Sequence, residues 1–128
     1  MRAAINDASI LIDLSTIDLL NPFLNLSFDM MATDFVIEEI KEAHIYKKIR
    51  TWIDRKRLTV ITSTLEEMNA IQEMALRLSS LSYSDCSVYF HSQKLSAILL
   101  TGDSHLRKKA ESSGLEVHGI HRKHKTAS

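Results

Sequence analysis

Asp7 follows a short apolar stretch, residues 3–6, and directly precedes an apolar pattern of helical period. Asp103 lies just past a second apolar run, residues 97–100, behind Thr101 and Gly102. If those runs are neighbouring parallel strands, both acids reach one edge of the same sheet from distant sequence. Asp85 falls in the first turn of the helix leading to the second run, and Glu39 falls on a helix after another strand. Either is expected to lean over that edge. Two carboxylates about 4 Å apart repel by roughly 4 kcal/mol at an effective dielectric near 20, so four bare anions at one edge would be unstable. Protonation of one or more acids would relieve the repulsion, and hard Mg²⁺ or Mn²⁺ is the natural oxygen-bound alternative.

Other polar residues suit supporting tasks. Thr101 is placed to hydrogen-bond Asp7 or a water there, and Ser9 to do the same; ordinary strand-end and helix-start chemistry is an equal alternative for both. Gly102 is expected to let the backbone turn tightly at the strand end. His105 lies two residues beyond Asp103 and, with Arg107, is a candidate for contacting phosphate, the alternative being an ordinary residue of a helix start. His118, His121 and His124 recur every third residue, but after a strand and in a basic stretch, which favours a solvated tail over a metal site. His91 and Cys86 read as core positions, and Asp13 and Asp18 as solvated helix surface.

The elements that must position these groups alternate. After the first strand, Ile10, Leu11, Leu14, Ile17 and Leu20 give a helix that Asn21 and Pro22 are expected to stop. Residues 26–31 read as a second strand. Thr33 or Asp34 can cap a helix from about Phe35, and residues 45–57 carry a further helical period. Residues 58–62, rich in β-branched side chains, read as a third strand. Thr64 and Glu67 have capping-box spacing before the stripe Met68, Ile71, Met74, Ala75 and Leu78. Ser82 or Ser84 opens the next helix, residues 97–100 form the fourth strand, and a charged helix over 104–113 ends at Gly114 before a last strand at 115–117. Alternating strands and helices indicate a parallel sheet with right-handed crossovers, whose working site lies beyond the carboxyl ends of the strands.

Composition narrows the class. Of the 128 residues 45% are apolar, with three Gly and one Pro, which excludes collagen-like and low-complexity chains. One domain is expected over residues 1–119, followed by a basic polar tail at 120–128. Cys86 is the only cysteine, no secretory leader opens the chain and no apolar run reaches bilayer length, so a cytoplasmic address and no membrane partner are expected. Sixteen basic and sixteen acidic residues cancel, so overall charge gives no argument for a nucleic-acid partner. The local clusters at Lys47–Arg50, Arg55–Arg57, Arg107–Lys109 and Arg122–Lys125 read singly as solvated surface.

The stretches INDASILID, FVIEEI, LSYSDCSVYFHSQKLSAILLTGD and SHLRKKAESSGLEVHG resemble the PIN domain, in particular the small PIN ribonucleases that serve as VapC-type toxins of bacterial toxin–antitoxin pairs. The resemblance runs in order to about Gly119. It rests on an Asp at the first strand end, V-x-x-E, S-x-x-D before a helix, and T-G-D after an apolar strand. It implies an α/β, three-layer PIN-like fold, with a twisted, mainly parallel sheet of four or five strands flanked by helices. It also implies a divalent metal, Mg²⁺ or Mn²⁺, and hydrolysis of RNA phosphodiester bonds. The four acidic roles fall on Asp7, Glu39, Asp85 and Asp103. Asp7 and Asp103 are the expected principal metal ligands, with Glu39 and Asp85 as ligands or orienters of water. V-x-x-E counted from Val36 selects Glu39 over its neighbour Glu38. Expected partners are an RNA substrate, a cognate antitoxin protein and a second copy of the chain. The rivals are an inactive PIN-like module binding RNA or protein, against which retention of all four acids argues, and a receiver-type signalling module, whose paired acids near the first strand and later Lys are not convincingly present.

Overall fold

The structure, a computed structural model, describes residues 1–119. The expected tail at 120–128 lies outside the described residues, and with it His121 and His124. Five strands, β1 (Ala3–Asn6), β2 (Asp29–Thr33), β3 (Thr59–Ile61), β4 (Ile98–Leu100) and β5 (Val117–His118), form one sheet in the order β3-β2-β1-β4-β5. Every pairing is parallel. Ile98, Leu99 and Leu100 are all buried, as a central parallel strand covered on both faces requires.

Among the described residues seven helices connect the strands: α1 (Ala8–Thr16), α2 (Leu20–Leu24), α3 (Asp34–Glu39), α4 (Ala43–Asp54), α5 (Leu65–Arg77), α6 (Tyr83–Leu95) and α7 (Ser104–Ser112). From β1 the chain works outward through β2 to β3, then crosses back to β4 and leaves in the opposite direction to β5. With right-handed crossovers, the reversal assigns the connections before β3 and those after it to opposite faces. The packing of the longer helices agrees, with α4 against α1 and α5 and α7 against α6, while the short α3, at the carboxyl end of β2, reaches across to α6. The core between these layers includes Ile5, Leu11, Val36, Ile49, Ile71, Val88, Leu99 and Leu106.

Three local expectations require correction. Asn21 and Pro22 do not stop a helix; they lie inside α2, with Pro22 in the first turn, where its missing N–H goes unused. The second strand is displaced to Asp29–Thr33, because residues 26–28 are spent on turns closed by Leu26 N–H to Phe23 O and Phe28 N–H to Leu26 O. The last strand holds His118, whose Nε2 lies 2.7 Å from a Glu116 carboxylate oxygen, so it belongs to the sheet and not to a tail.

Candidate active site

Between β1 and β4 the direction of chain progression reverses, and in an open parallel sheet this is where the carboxyl-end loops part to leave a crevice. Asn6 is in register with Leu100, and the Asp7 N–H donates to Leu100 O at 3.0 Å. Asp7 is therefore held at the crevice by the sheet itself. It is also the N-cap of α1, its carboxylate accepting from Ile10 N–H at 2.9 Å and from the Ser9 hydroxyl at 3.0 Å. Asp103, leaving β4, is the N-cap of α7 and accepts from His105 N–H at 3.1 Å.

Thr101 ties the two acids together. Its buried hydroxyl donates to Asp7 Oδ2 and accepts from Asp103 N–H at 2.9 Å. A hydroxyl with one proton and two lone pairs can serve both at once.

The other two acids arrive on helix ends. Asp85 forms the second half of a capping box: its carboxylate accepts from Ser82 N–H while its own N–H donates to the Ser82 hydroxyl. Glu39 is the last residue of α3, and its Oε1 accepts from the Ser84 hydroxyl at 2.5 Å, which draws it to the first turn of α6 beside Asp85. A buried polar seam fixes α3 against α6 behind this contact. Ser87 donates to Ser84 O, so Thr33, whose oxygen caps α3 by accepting from Val36 N–H, must be the donor in the 2.7 Å Thr33–Ser87 contact.

Burial and neighbouring charge act on two of the acids. Burial pushes the Asp7 carboxyl above the ordinary range; the bonds from Thr101, Ile10 and Ser9 work against this, and the Asp85 charge adds to it. Burial likewise raises Asp85, opposed by the Ser82 bonds and assisted by the charges of Asp103 and Glu39. Asp85 thus feels each of the other three. All the donors are hard oxygens, the set that suits Mg²⁺ or Mn²⁺, and the cost of charging the site supplies a reason for it to take a cation. Among the described residues, no three carboxylate, imidazole or thiol groups are already closed around a point where an ion could sit. Asp7 is fixed by its three donors, whereas Glu39 is exposed and Asp85 and Asp103 are partly so.

His105 Nδ1 lies 3.6 Å from Asp103 Oδ1 and the ring is largely exposed at the crevice. Arg107 lies at the same edge of the sheet, beside Gly119 and the Thr101 carbonyl. Its guanidinium lies 3.9 Å from Glu111 and so close to Gly119 that a Cβ there would meet Nη2 at 2.2 Å. The tight-turn role expected of Gly102 is not needed: its φ is not positive, and an added Cβ would meet only the Ser9 hydroxyl, at an ordinary 3.8 Å. Cys86 is buried, with its thiol pushed up to about 11, far from a reactive thiolate.

Sequence reasoning named Ser84 only as a possible helix cap and missed its bond to Glu39, and it missed a second buried chain. Ser63 donates its N–H and hydroxyl to the Asp34 carboxylate, at 2.8 and 3.0 Å, and its Oγ lies 2.9 Å from His91 Nε2. Since the one Ser63 proton goes to Asp34, the buried His91 must carry its proton on Nε2; burial lowers its pKa, which keeps it neutral at pH 7. Asn6 was missed too: its amide donates to Met31 O at 3.0 Å, fastening β1 to β2 directly before Asp7. Only the spacing S-x-x-D, which finds Ser82, hints at any of these.

A comparison with curated proteins found no significant match. The crystal structure of PAE2754 from Pyrobaculum aerophilum shares the fold, with a TM-score of 0.64 at 15% identity over 91% of this chain and 89% of that one. A family model described as DUF3368, a PIN domain, matches residues 3–121. With nearly the whole chain matched and an all-parallel five-stranded sheet carrying acids at its switch point, this protein belongs to the PIN-domain family.

Proposed function

We propose that the chain is a divalent-metal-dependent endoribonuclease whose site is Asp7, Glu39, Asp85 and Asp103. PIN domains are generally nucleases and usually bind divalent metals. The observation that carries the reading is the Asp7–Thr101–Asp103 bridge across β1 and β4. Asp7 and Asp103 would hold the ion, with Asp85 and Glu39 completing the oxygen set. When bound, the ion supplies neutralisation of phosphate charge and a more acidic water. The chain's own residues do the positioning: Thr101 and Ser9 hold the Asp7 carboxylate, Ser84 holds Glu39, and the Ser82 cap holds Asp85. His105, exposed beside Asp103, would meet a phosphate oxygen of the substrate. No covalent nucleophile is required. In this reading the chain acts in the cytoplasm as a growth-inhibiting toxin restrained by a cognate antitoxin, the role its motifs resemble.

The test is cleavage of RNA with Mg²⁺ or Mn²⁺ by the wild type, Asp7→Asn and Asp103→Asn. Each substitution is expected to lower kcat/KM at least about a hundredfold, because each removes part of several kcal/mol of charge stabilisation. Undiminished metal-dependent cleavage in both variants would remove the site assignment. Tight RNA binding by a wild type that does not cut would favour the inactive binding module.

A further inference from the structure

At the other end of α1 from the acids, about 13 Å along its axis by helical rise, a cavity of 320 Å³ opens between α1, α2 and α4. Its walls include Ser15, Leu20, Asn21, Lys48, Trp52 and Arg55. Lys48 is committed: its ammonium donates to Ser15 O at 3.1 Å and pairs with Asp18 at 2.9 Å. Arg55 is not. Its guanidinium carbon stands 5.1 Å from the Trp52 ring centroid, and among the described residues it makes no ion pair, while nearby Arg50 pairs with Asp54. The Ser15 hydroxyl, buried in the wall, has no hydrogen-bond partner among the described residues.

These features fit one kind of ligand. A guanidinium held against an indole, with its N–H groups unpaired, is a ready receptor for a phosphate. Arg57 also stands over the indole, at 5.8 Å, so a planar group joined to that phosphate meets the ring edge and Leu20, and Asn21 can meet its polar edge. The volume lies near the lower bound of about 300 Å³ for small-molecule sites, which admits one nucleotide and leaves no room for a folded segment. We propose that this cavity binds a single nucleotide, phosphate on Arg55 and base beside Trp52, either free or as one unpaired unit of an RNA strand. The site is separate from the acids and does not depend on the nuclease reading.

Trp52 is the only tryptophan, so its fluorescence reports on this cavity directly. The full chain is titrated, in EDTA to prevent metal-dependent cleavage, with the four nucleoside monophosphates, the parent nucleosides, inorganic phosphate and a short single-stranded RNA. A saturable change with a mononucleotide identifies a free nucleotide as ligand; a change with the RNA alone identifies a strand. In either case Arg55→Ala is expected to weaken binding about tenfold or more, with Arg55→Lys intermediate. Arg55 is exposed, and circular dichroism of the variants confirms that they are folded. No saturable change with any nucleotide or RNA, equal affinity for inorganic phosphate, or full affinity in folded Arg55→Ala overturns the proposal.

Discussion

At the scale of single residues, the site is built on one hydroxyl and one shared charge. Thr101 serves Asp7 with its proton and the Asp103 backbone with its oxygen, so two chain segments 96 positions apart in sequence become one support. Asp85 is where the charges meet. Its carboxyl is raised above the ordinary carboxylate range by burial first, then by the charges of Asp103 and Glu39. A raised folded pKa means that the folded state takes up the proton more readily than the unfolded chain. The stabilising contribution is thus fully present below the unfolded value and is lost as pH rises through the folded one. Asp85→Asn should therefore stabilise the metal-free protein at pH 7, by no more than about 1 kcal/mol because the repelling groups are partly exposed and screened. The amide oxygen of Asn can keep the bond from Ser82 N–H, so the helix cap is retained. Chemical denaturation in EDTA at several pH values measures this: the advantage of the variant should shrink as the pH falls towards 4. A variant less stable than the wild type at pH 7 would mean that Asp85 contributes more through its cap than it costs through its charge.

At the scale of elements, α6 positions half of the site and is unusual in being buried on most sides. Ser84, Cys86, Ser87, Val88, Tyr89, His91 and Ser92 are all inaccessible. Three of its buried polar residues are paired outward to other elements, Ser87 to Thr33, Ser84 to Glu39 and His91 to Ser63, while the Ser92 hydroxyl has no partner among the described residues. Ser87→Ala would strand the buried Thr33 hydroxyl and is expected to cost about 1–3 kcal/mol, with a non-additive recovery when Thr33→Val is added. Urea unfolding of the four proteins of that cycle gives the coupling, and simple additivity would show that the seam does not join α3 to α6. The same helix shows what a sequence discloses. Both capping boxes, Thr64 with Glu67 and Ser82 with Asp85, use bonds between residues three apart, so the sequence spacing states the geometry. Asp7 and Asp103 were legible for a related reason, since apolar runs mark strand ends and parallel pairing does the rest. The Ser84–Glu39 and Asp34–Ser63–His91 contacts join residues 28 to 45 apart through tertiary packing, which no local pattern encodes. Pro22 misled because its effect depends on its position in the turn: it would end an established helix, yet it fits the first turn of α2.

At the scale of the whole molecule, the acids converge only because the chain folds, so the energy of the site is coupled to the stability of the protein. Strands β1 and β4 deliver Asp7 and Asp103, and the α3–α6 contact delivers Glu39 to Asp85; in the unfolded chain none of these groups is held near another. Their mutual repulsion and the desolvation of Asp7 are consequently charged to the native state alone. A divalent ion that engages the assembled set and not the unfolded chain reverses this, adding RT ln(1 + [L]/Kd), about 2.7 kcal/mol when the ion is present at about 100 times its Kd. Calorimetry with Mg²⁺ or Mn²⁺ should therefore raise the Tm of the wild type in a concentration-dependent way, beyond any change given by NaCl at matched ionic strength. Asp7→Asn and Asp103→Asn should lose most of the increase, because each removes a charged ligand from one of the two strand ends. Arg55→Ala, at the far end of α1, should keep it. An increase of equal size in all four proteins would mean that the ion binds elsewhere, and that the crevice between β1 and β4 tolerates its charges without one.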